Sequence, residues 1–277
     1  MSTVSAHQRD LSVLPDRAPA DSIAVGLRLV TMGDFTVSRS GEKVALGQHQ
    51  ARALLAIMVC VQGPVHREKL IEWLWPHLPA ERALSTLYST VYTLRRRLGS
   101  ERPKAAASSF VQSDGEAYRL DWGQDAWLDL SEFLHLARVA SRPAPADVRI
   151  ERLMAADAAY AGQFLPQWPY AEWAMPLRAE VEETYLGVGS GLAEALVEVG
   201  QVSAAVTQYR RLLAIDPERE AWHRALMKLF IRSGERAKAV QQFEACRRVL
   251  FGCAGMTPSP ETEEIYASLF KSAVGRG

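Results

Sequence analysis

Cysteine is scarce in this chain. The three present in 277 residues, Cys60, Cys246 and Cys253, form an odd set without close pairing, which excludes a disulfide framework, and no His or Cys lies near them at zinc-like spacing. The six histidines are scattered. His66, Glu68 and Glu72 share one face of a short helix, but a two-turn surface cluster of this kind reads as solvated or capping groups, and no metal is expected. Long apolar runs are missing too. No stretch approaches the roughly 20 residues of a membrane span, and residues 1–22 form a polar, proline-containing tail with no signal-peptide core. A reduced protein of the cytoplasm, without membrane contact, is the expectation. Phosphate loops and nucleophile elbows are also absent. Gly187 to Gly191 reads GVGSG, which lacks both the G-x-x-x-x-G-K and the G-x-S-x-G order. It falls inside a predicted long helix, where glycine marks a kink or a close approach. No enzyme and no cofactor is expected.

The hydrophobic fraction of 48% is enough for a globular protein of two domains. Formal net charge is zero, yet it is unevenly placed. Residues 1–120 hold 15 Lys and Arg against 11 Asp and Glu, and residues 121–277 hold 17 against 21, so the halves are +4 and −4. A basic patch on the first half can bind phosphate although the whole chain is neutral.

One segment concentrates that character. AERALSTLYSTVYTLRRRLG, from Ala80 to Gly99, carries Leu84, Leu87, Val91, Leu94 and Leu98 at 3-4-3-4 spacing, which predicts a helix with one face on a core. At about 100° per residue, the opposite face holds Arg82, Ser85, Ser89, Tyr92, Thr93 and Arg96, with Thr86 and Arg97 beside them. Hydroxyls and guanidinium groups can bond phosphate or base edges. Arg95, Arg96 and Arg97 also stand at a helix C-terminus before glycine, where cations favour the helix dipole without any ligand. Arg95 leans toward the core side, as a brace.

Short β-prone runs precede this segment: Leu27 to Thr31, Asp34 to Ser38 and Lys43 to Leu46, separated by turn residues. Helices are expected at His49 to Val61, stopped by Gln62-Gly63-Pro64, and at His66 to Pro76. Phe110 to Leu120 reads as a hairpin about an Asp-Gly turn. Sheet, two helices, a long helix and a hairpin is the order of a winged helix-turn-helix with a strand platform, whose third helix enters the major groove and whose hairpin follows the backbone. Tyr118 and Arg119 then become phosphate-contact candidates, although an aromatic in a hairpin often packs on the core instead.

The second half is helical, with runs from Leu130 to Val139, Val148 to Phe164 and Ala174 to Val199 before a repeat. Residues 34 apart pair as Leu192 with Leu226, Leu196 with Phe230, Gly200 with Gly234, Ala205 with Ala239, Val206 with Val240 and Tyr209 with Phe243. That period belongs to the tetratricopeptide repeat, a helical hairpin that buries its face by stacking. Trp168 and Trp173, in the aromatic stretch from Phe164, read as core or domain-interface packing. The expected fold class is an α+β winged helix-turn-helix with a strand platform over residues 23–122, followed by an all-α tetratricopeptide-like domain over 127–274.

Five segments together resemble the Streptomyces antibiotic regulatory protein (SARP) family: LGQHQARALLAIM (Leu46 to Met58), KLIEWLWPHLPAERAL (Lys69 to Leu84), VYTLRRRLG (Val91 to Gly99), WLDLSEF (Trp127 to Phe133) and GMTPSPETEEIYASL (Gly255 to Leu269). The resemblance implies an OmpR-type winged helix joined to a bacterial transcriptional activation domain. It implies an activator of transcription, nucleoid-associated, that binds tandem direct repeats in double-stranded promoter DNA and recruits RNA polymerase. The polymerase would meet the loop Trp75, Pro76, His77, Leu78, Pro79 and Ala80, which also reads as a rigid packed turn. Thr93 stands where many members have arginine, so the operator should differ. Repeats one helical turn apart would seat two protomers side by side. The concave face of a helical stack suits a protein, peptide or small ligand, or serves only to brace the first domain. The competing class is a tetratricopeptide-type interaction module whose winged helix binds protein rather than DNA.

Overall fold

The computed structural model describes residues 26–47, 49–99, 110–122 and 126–271. The polar tail expected over residues 1–22 lies outside them. The chain divides into two compact units. The first runs to Leu136 and resumes for Ala158–Glu183; the second takes Ala137–Asp157 and the described residues from Thr184 onward.

The first unit opens with β1 (Leu27–Val30), β2 (Thr36–Arg39) and β3 (Glu42–Lys43). β1 and β2 pair antiparallel with Leu29 opposite Val37, and Leu27, Leu29 and Val37 turn inward to be buried, as the period of two requires. The third strand is shorter and earlier than the expected run from Lys43 to Leu46. Ser40 and Gly41, both at positive φ (49° and 82°), form a two-residue hairpin turn that brings Glu42 directly into register with Arg39. A fourth strand, β7 (Ala126–Leu128), pairs parallel with the other edge of β1. Three residues with a partner about 100 positions away leave no local pattern to recognise.

Asp129 fixes that closure. Its buried carboxylate accepts hydrogen bonds from the backbone amides of Thr31 (2.7 Å), Met32 (2.8 Å) and Leu130 (2.8 Å) and from the Thr31 hydroxyl (2.6 Å). Burial pushes the carboxyl pKa up, against these four bonds, which pull it down. The same corner receives the returning segment. The Leu165 amide donates to the Thr31 carbonyl (2.8 Å), the Gly33 amide to that of Gln163 (2.9 Å), and Met32 bridges Phe164. The buried Arg178 guanidinium then donates to the carbonyls of Phe164, Leu165, Trp168 and Pro169 at 2.8–3.1 Å. Trp168 is buried, edge-on to Phe35 at 5.3 Å between ring centres, so within this unit it is a core residue.

Around this corner are α1 (His49–Val61), β4 (Val65–His66), α2 (Arg67–Leu74), α3 (Ala80–Leu98), β5 (Val111–Asp114) and β6 (Ala117–Leu120). Ala53 to Cys60 of α1 are all buried. β4, β6 and β5 form a second sheet in that order. His66 therefore belongs to a strand and not to the helix expected from it, and its Nδ1 accepts the Glu68 amide at 3.4 Å to cap α2. The hairpin turns at Gly115–Glu116, with Gly115 at φ 59°.

Helices α4 (Asp129–Ala140), α5 (Ala146–Ala159) and α6 (Met175–Glu198) each contain a boundary between the units. α5 stops short of the expected Phe164 because Gln163 to Leu165 are bonded to β1's end as extended chain. In the second unit follow α7 (Val202–Ile215), α8 (Glu220–Arg232), α9 (Arg236–Ala254) and α10 (Pro260–Lys271). The 34-residue period is reproduced in the hydrogen bonds. Gly200 and Gly234 sit at φ 77° and 74°. After them, the Gln201 amide reaches back to the Leu196 carbonyl and the Glu235 amide to that of Phe230, both at 2.8 Å, the Schellman geometry that ends a helix at glycine. Leu192 and Leu226, Leu196 and Phe230, Ala205 and Ala239, Tyr209 and Phe243 are buried at matched positions.

Gly189 is where α6 and α7 approach. A Cβ built there would lie 2.6 Å from Leu212 Cδ2 and 3.1 Å from Gln208 Nε2, whereas one at Gly187 would meet open space. We expect Gly187→Ala to raise stability by up to about 1 kcal/mol, the helix-propensity gain. Gly189→Leu should lower it by about 1–3 kcal/mol through overpacking. Asp129→Ala leaves buried donors without their acceptor and should cost about 3 kcal/mol or more, at about 1–3 kcal/mol per unpaired group. Denaturant titration of each variant reads all three.

Candidate nucleic-acid interface

α3 has two faces of opposite chemistry. Ala83, Leu87, Thr90, Val91, Leu94 and Leu98 are buried, while Leu84, expected in the stripe, is only half-buried. The core arc is rotated toward Ala83 and Thr90 because the helix packs on both α1 and α2. Opposite it, Arg82, Ser85, Ser89, Tyr92, Arg96 and Arg97 are exposed and Thr86 and Thr93 half-exposed. These eight residues span about 140° of the helix at 100° per residue, and the arc contains no carboxylate. Tyr92 is 66% exposed. Among the described residues, Arg82, Arg96 and Arg97 form no ion pair through their side chains. The hydroxyls are engaged locally: Thr86 donates to the Arg82 carbonyl (2.8 Å), Ser89 to Ser85 (3.1 Å) and Thr93 to Ser89 (2.9 Å).

The third arginine of the triplet does different work. Arg95 Nε donates to the Val111 carbonyl at 2.8 Å and Nη2 to Ser113 Oγ at 2.7 Å, tying α3 to β5 as the bracing role required. The C-terminus of α3 takes a further guanidinium from outside, since Arg39 donates to the Leu98 carbonyl at 2.5 Å. No local signal marks Arg39, because its partner is 59 residues away.

The hairpin splits the two residues expected on it. Arg119 is exposed and donates to Gln112 Oε1 at 2.8 Å across the strands. Tyr118, expected beside it as a contact, is instead a core residue at 8% exposure, its neighbour across the sheet being Val65. Alternation along β6 requires one of the pair to face inward, and the aromatic does. Burial pushes its phenol pKa up, Tyr88 adds to the shift, and Arg95 and Arg67 oppose it. At the turn of the hairpin, Glu116 pairs with Arg67 at 2.6 Å and lies 3.3 Å from His66 Nε2.

Between α2 and α3, Trp75 is buried as an anchor, Leu78 is half-buried, and Pro76, His77, Pro79 and Ala80 are exposed. The Leu78 amide closes the turn on the Trp75 carbonyl at 3.1 Å. The loop is thus a turn anchored on Trp75 with exposed side chains around it. Among the described residues no His, Cys, Asp and Glu side chains are grouped to hold a metal ion, and no helix is long and apolar enough to cross a membrane.

Comparison with known proteins bears on the whole chain. The regulatory protein AfsR of Streptomyces griseus is 27% identical over 251 residues, covering 90% of this chain and 25% of AfsR. The chain thus spans a quarter of that relative's length. The transcriptional regulatory protein MoaR1 of Mycobacterium tuberculosis is 23% identical, covering 87% of this chain and 78% of MoaR1. Among solved structures, Mycobacterium tuberculosis EmbR in complex with a low affinity phosphopeptide shares the fold, with a TM-score of 0.71 at 23% identity over 89% of this chain and 65% of the EmbR chain. The bacterial transcriptional activator domain matches residues 128–270, more than half of the sequence. By that match and these relatives, the chain belongs to the bacterial transcriptional activator domain family and, within it, to the SARP group of transcriptional regulators.

Proposed function

We propose that this protein is a sequence-specific DNA-binding activator of transcription, reading DNA with a winged helix-turn-helix in residues 23–122 and acting through the activator domain of residues 127–274. The observation that carries the reading is the α3 face: three arginines, hydroxyls and an exposed tyrosine over one arc with no carboxylate. α3 enters the major groove with Arg82, Ser85, Thr86, Ser89, Tyr92, Thr93, Arg96 and Arg97 toward the bases and backbone, and Arg119 on the hairpin meets phosphate. Tyr118 holds the hairpin and makes no contact. Arg95 ties the helix to the hairpin and Arg39 ties its end to β2, which together hold the face at a set angle.

Two protomers side by side on promoter direct repeats, and RNA polymerase at the loop from Trp75 to Ala80, complete the reading. The exposed side chains of that loop, Pro76, His77 and Pro79, stand on a turn anchored by buried Trp75, so they present a fixed shape to a partner. Such work takes place in the cytoplasm, on the nucleoid.

A gel-shift series on promoter fragments tests the DNA contact, with affinity falling steeply as salt rises because phosphate contacts release counterions. Arg96→Ala should lose about 1–3 kcal/mol of affinity and relax sequence preference. Arg119→Ala should weaken all sequences alike. Unchanged binding in Arg96→Ala would move the interface off this face, and no binding to any fragment by folded protein would favour a protein-binding module. For the loop, a His77→Ala, Pro79→Ala double variant should keep promoter affinity within twofold yet lose most activated transcription in a purified polymerase assay. Full activation by that variant would remove the loop from the polymerase contact.

A further inference from the structure

Between the end of α1 and the β5–β6 hairpin lies a cleft of about 270 Å3, at the small end for ligand sites. Met58, Pro64 and Trp122 give it apolar wall, Asp114 and Arg119 give it one charge of each sign, and Gln62 also lines it. Gln62 is unusual on two counts. Its backbone is left-handed, at φ 56°, where it ends α1 with its amide bonded back to the Met58 carbonyl at 3.2 Å, which fixes the start of its side chain beside the cleft. Its carboxamide Oε1 and Nε2 are both shut off from solvent and, among the described residues, have no hydrogen-bond partner. An orphaned amide beside a cleft is destabilising unless something else answers it.

We propose that this cleft binds a flat, uncharged heterocycle of one or two rings that carries a cis-amide edge, the N–H beside C=O of a lactam, imide or nucleobase. A primary carboxamide offers a donor and an acceptor side by side, the complement of that edge. The three torsions of the glutamine side chain let it turn from its closed position to meet the ligand. Trp122 supplies a face for the ring to stack on and Met58 an adaptable floor. Opposite charges on Asp114 and Arg119 cancel at the opening and select no net charge. Arg119 at the opening is shared with the proposed phosphate contact, but the cleft is complete in the chain without DNA.

The test uses the full chain labelled with 15N, titrated with uracil and, separately, with 1,3-dimethyluracil, the same ring without N–H. Saturable shifts of the Gln62 carboxamide, the Gly63 amide and the Trp122 indole are expected with uracil, with binding at least tenfold weaker for the dimethyl compound. Gln62→Met, which keeps the length and removes the orphaned atoms, should melt at or above the parent's temperature and lose the preference for uracil. Equal affinity for the two pyrimidines in the parent chain would overturn the proposal, as would no shift with uracil, or a preference that survives in Gln62→Met. A failure to bind promoter DNA would leave these uracil-dependent shifts as they are, so the two readings fail separately.

Discussion

The first unit depends on a buried carboxylate. Asp129 ends β7, begins α4, and spends both oxygens on the far end of β1. A charge in that position is tolerated only because four donors converge on it. With the carboxylate in place, a three-residue strand can pair in parallel with β1, and the carbonyl of Thr31 is left free to receive Leu165. Arg178 completes the logic from the other side, a cation satisfied by four carbonyls. The corner is thus built from ionised groups answering backbone, which is directional, where apolar packing alone would leave register loose.

Much of the architecture was legible because it rests on short-range pattern. The helices from His49, Ala80 and Val202 follow their periodicity, and the 34-residue phase in Leu192 through Phe243 reappears as matched burial and matched glycine turns. What stayed hidden rests on distant partners. β7 is too short to announce itself, Asp129 reads as an ordinary helix-start acid until Thr31 and Met32 arrive, and β4 exists because β6 offers an edge to Val65 and His66. The loss of the last turn expected in α5 has the same cause: Phe164 is worth more against Met32 than in a helix.

The face of α3 was legible at the level of sides and blurred at the level of residues. Spacing separates Arg96 from Leu94 without ambiguity. It does not tell Leu84 from Ala83, since both sit at the border and only the angle at which α1 and α2 arrive decides which goes under. For the hairpin, alternation says that Tyr118 and Arg119 point opposite ways; the apolar bulk of the ring settles which points inward. The arginine triplet needed both scales, because Arg95 is claimed by Val111 and Ser113 on a strand that the helix itself cannot foresee.

The hydroxyl bonds along α3 have a chemical consequence for what such a face can recognise. A hydroxyl has one proton, and in Thr86, Ser89 and Thr93 it is already given to the carbonyl four residues back. What remains outward is lone-pair density. Phosphate oxygens offer only lone pairs themselves, so these three side chains have a proton for them only after turning away from the helix carbonyls. The exocyclic amines of adenine and cytosine do offer protons in the major groove. If this face meets a duplex as proposed, the arginines would supply attraction of any sequence, and the small hydroxyls, with their protons given to the helix, would favour the amine edges of A and C.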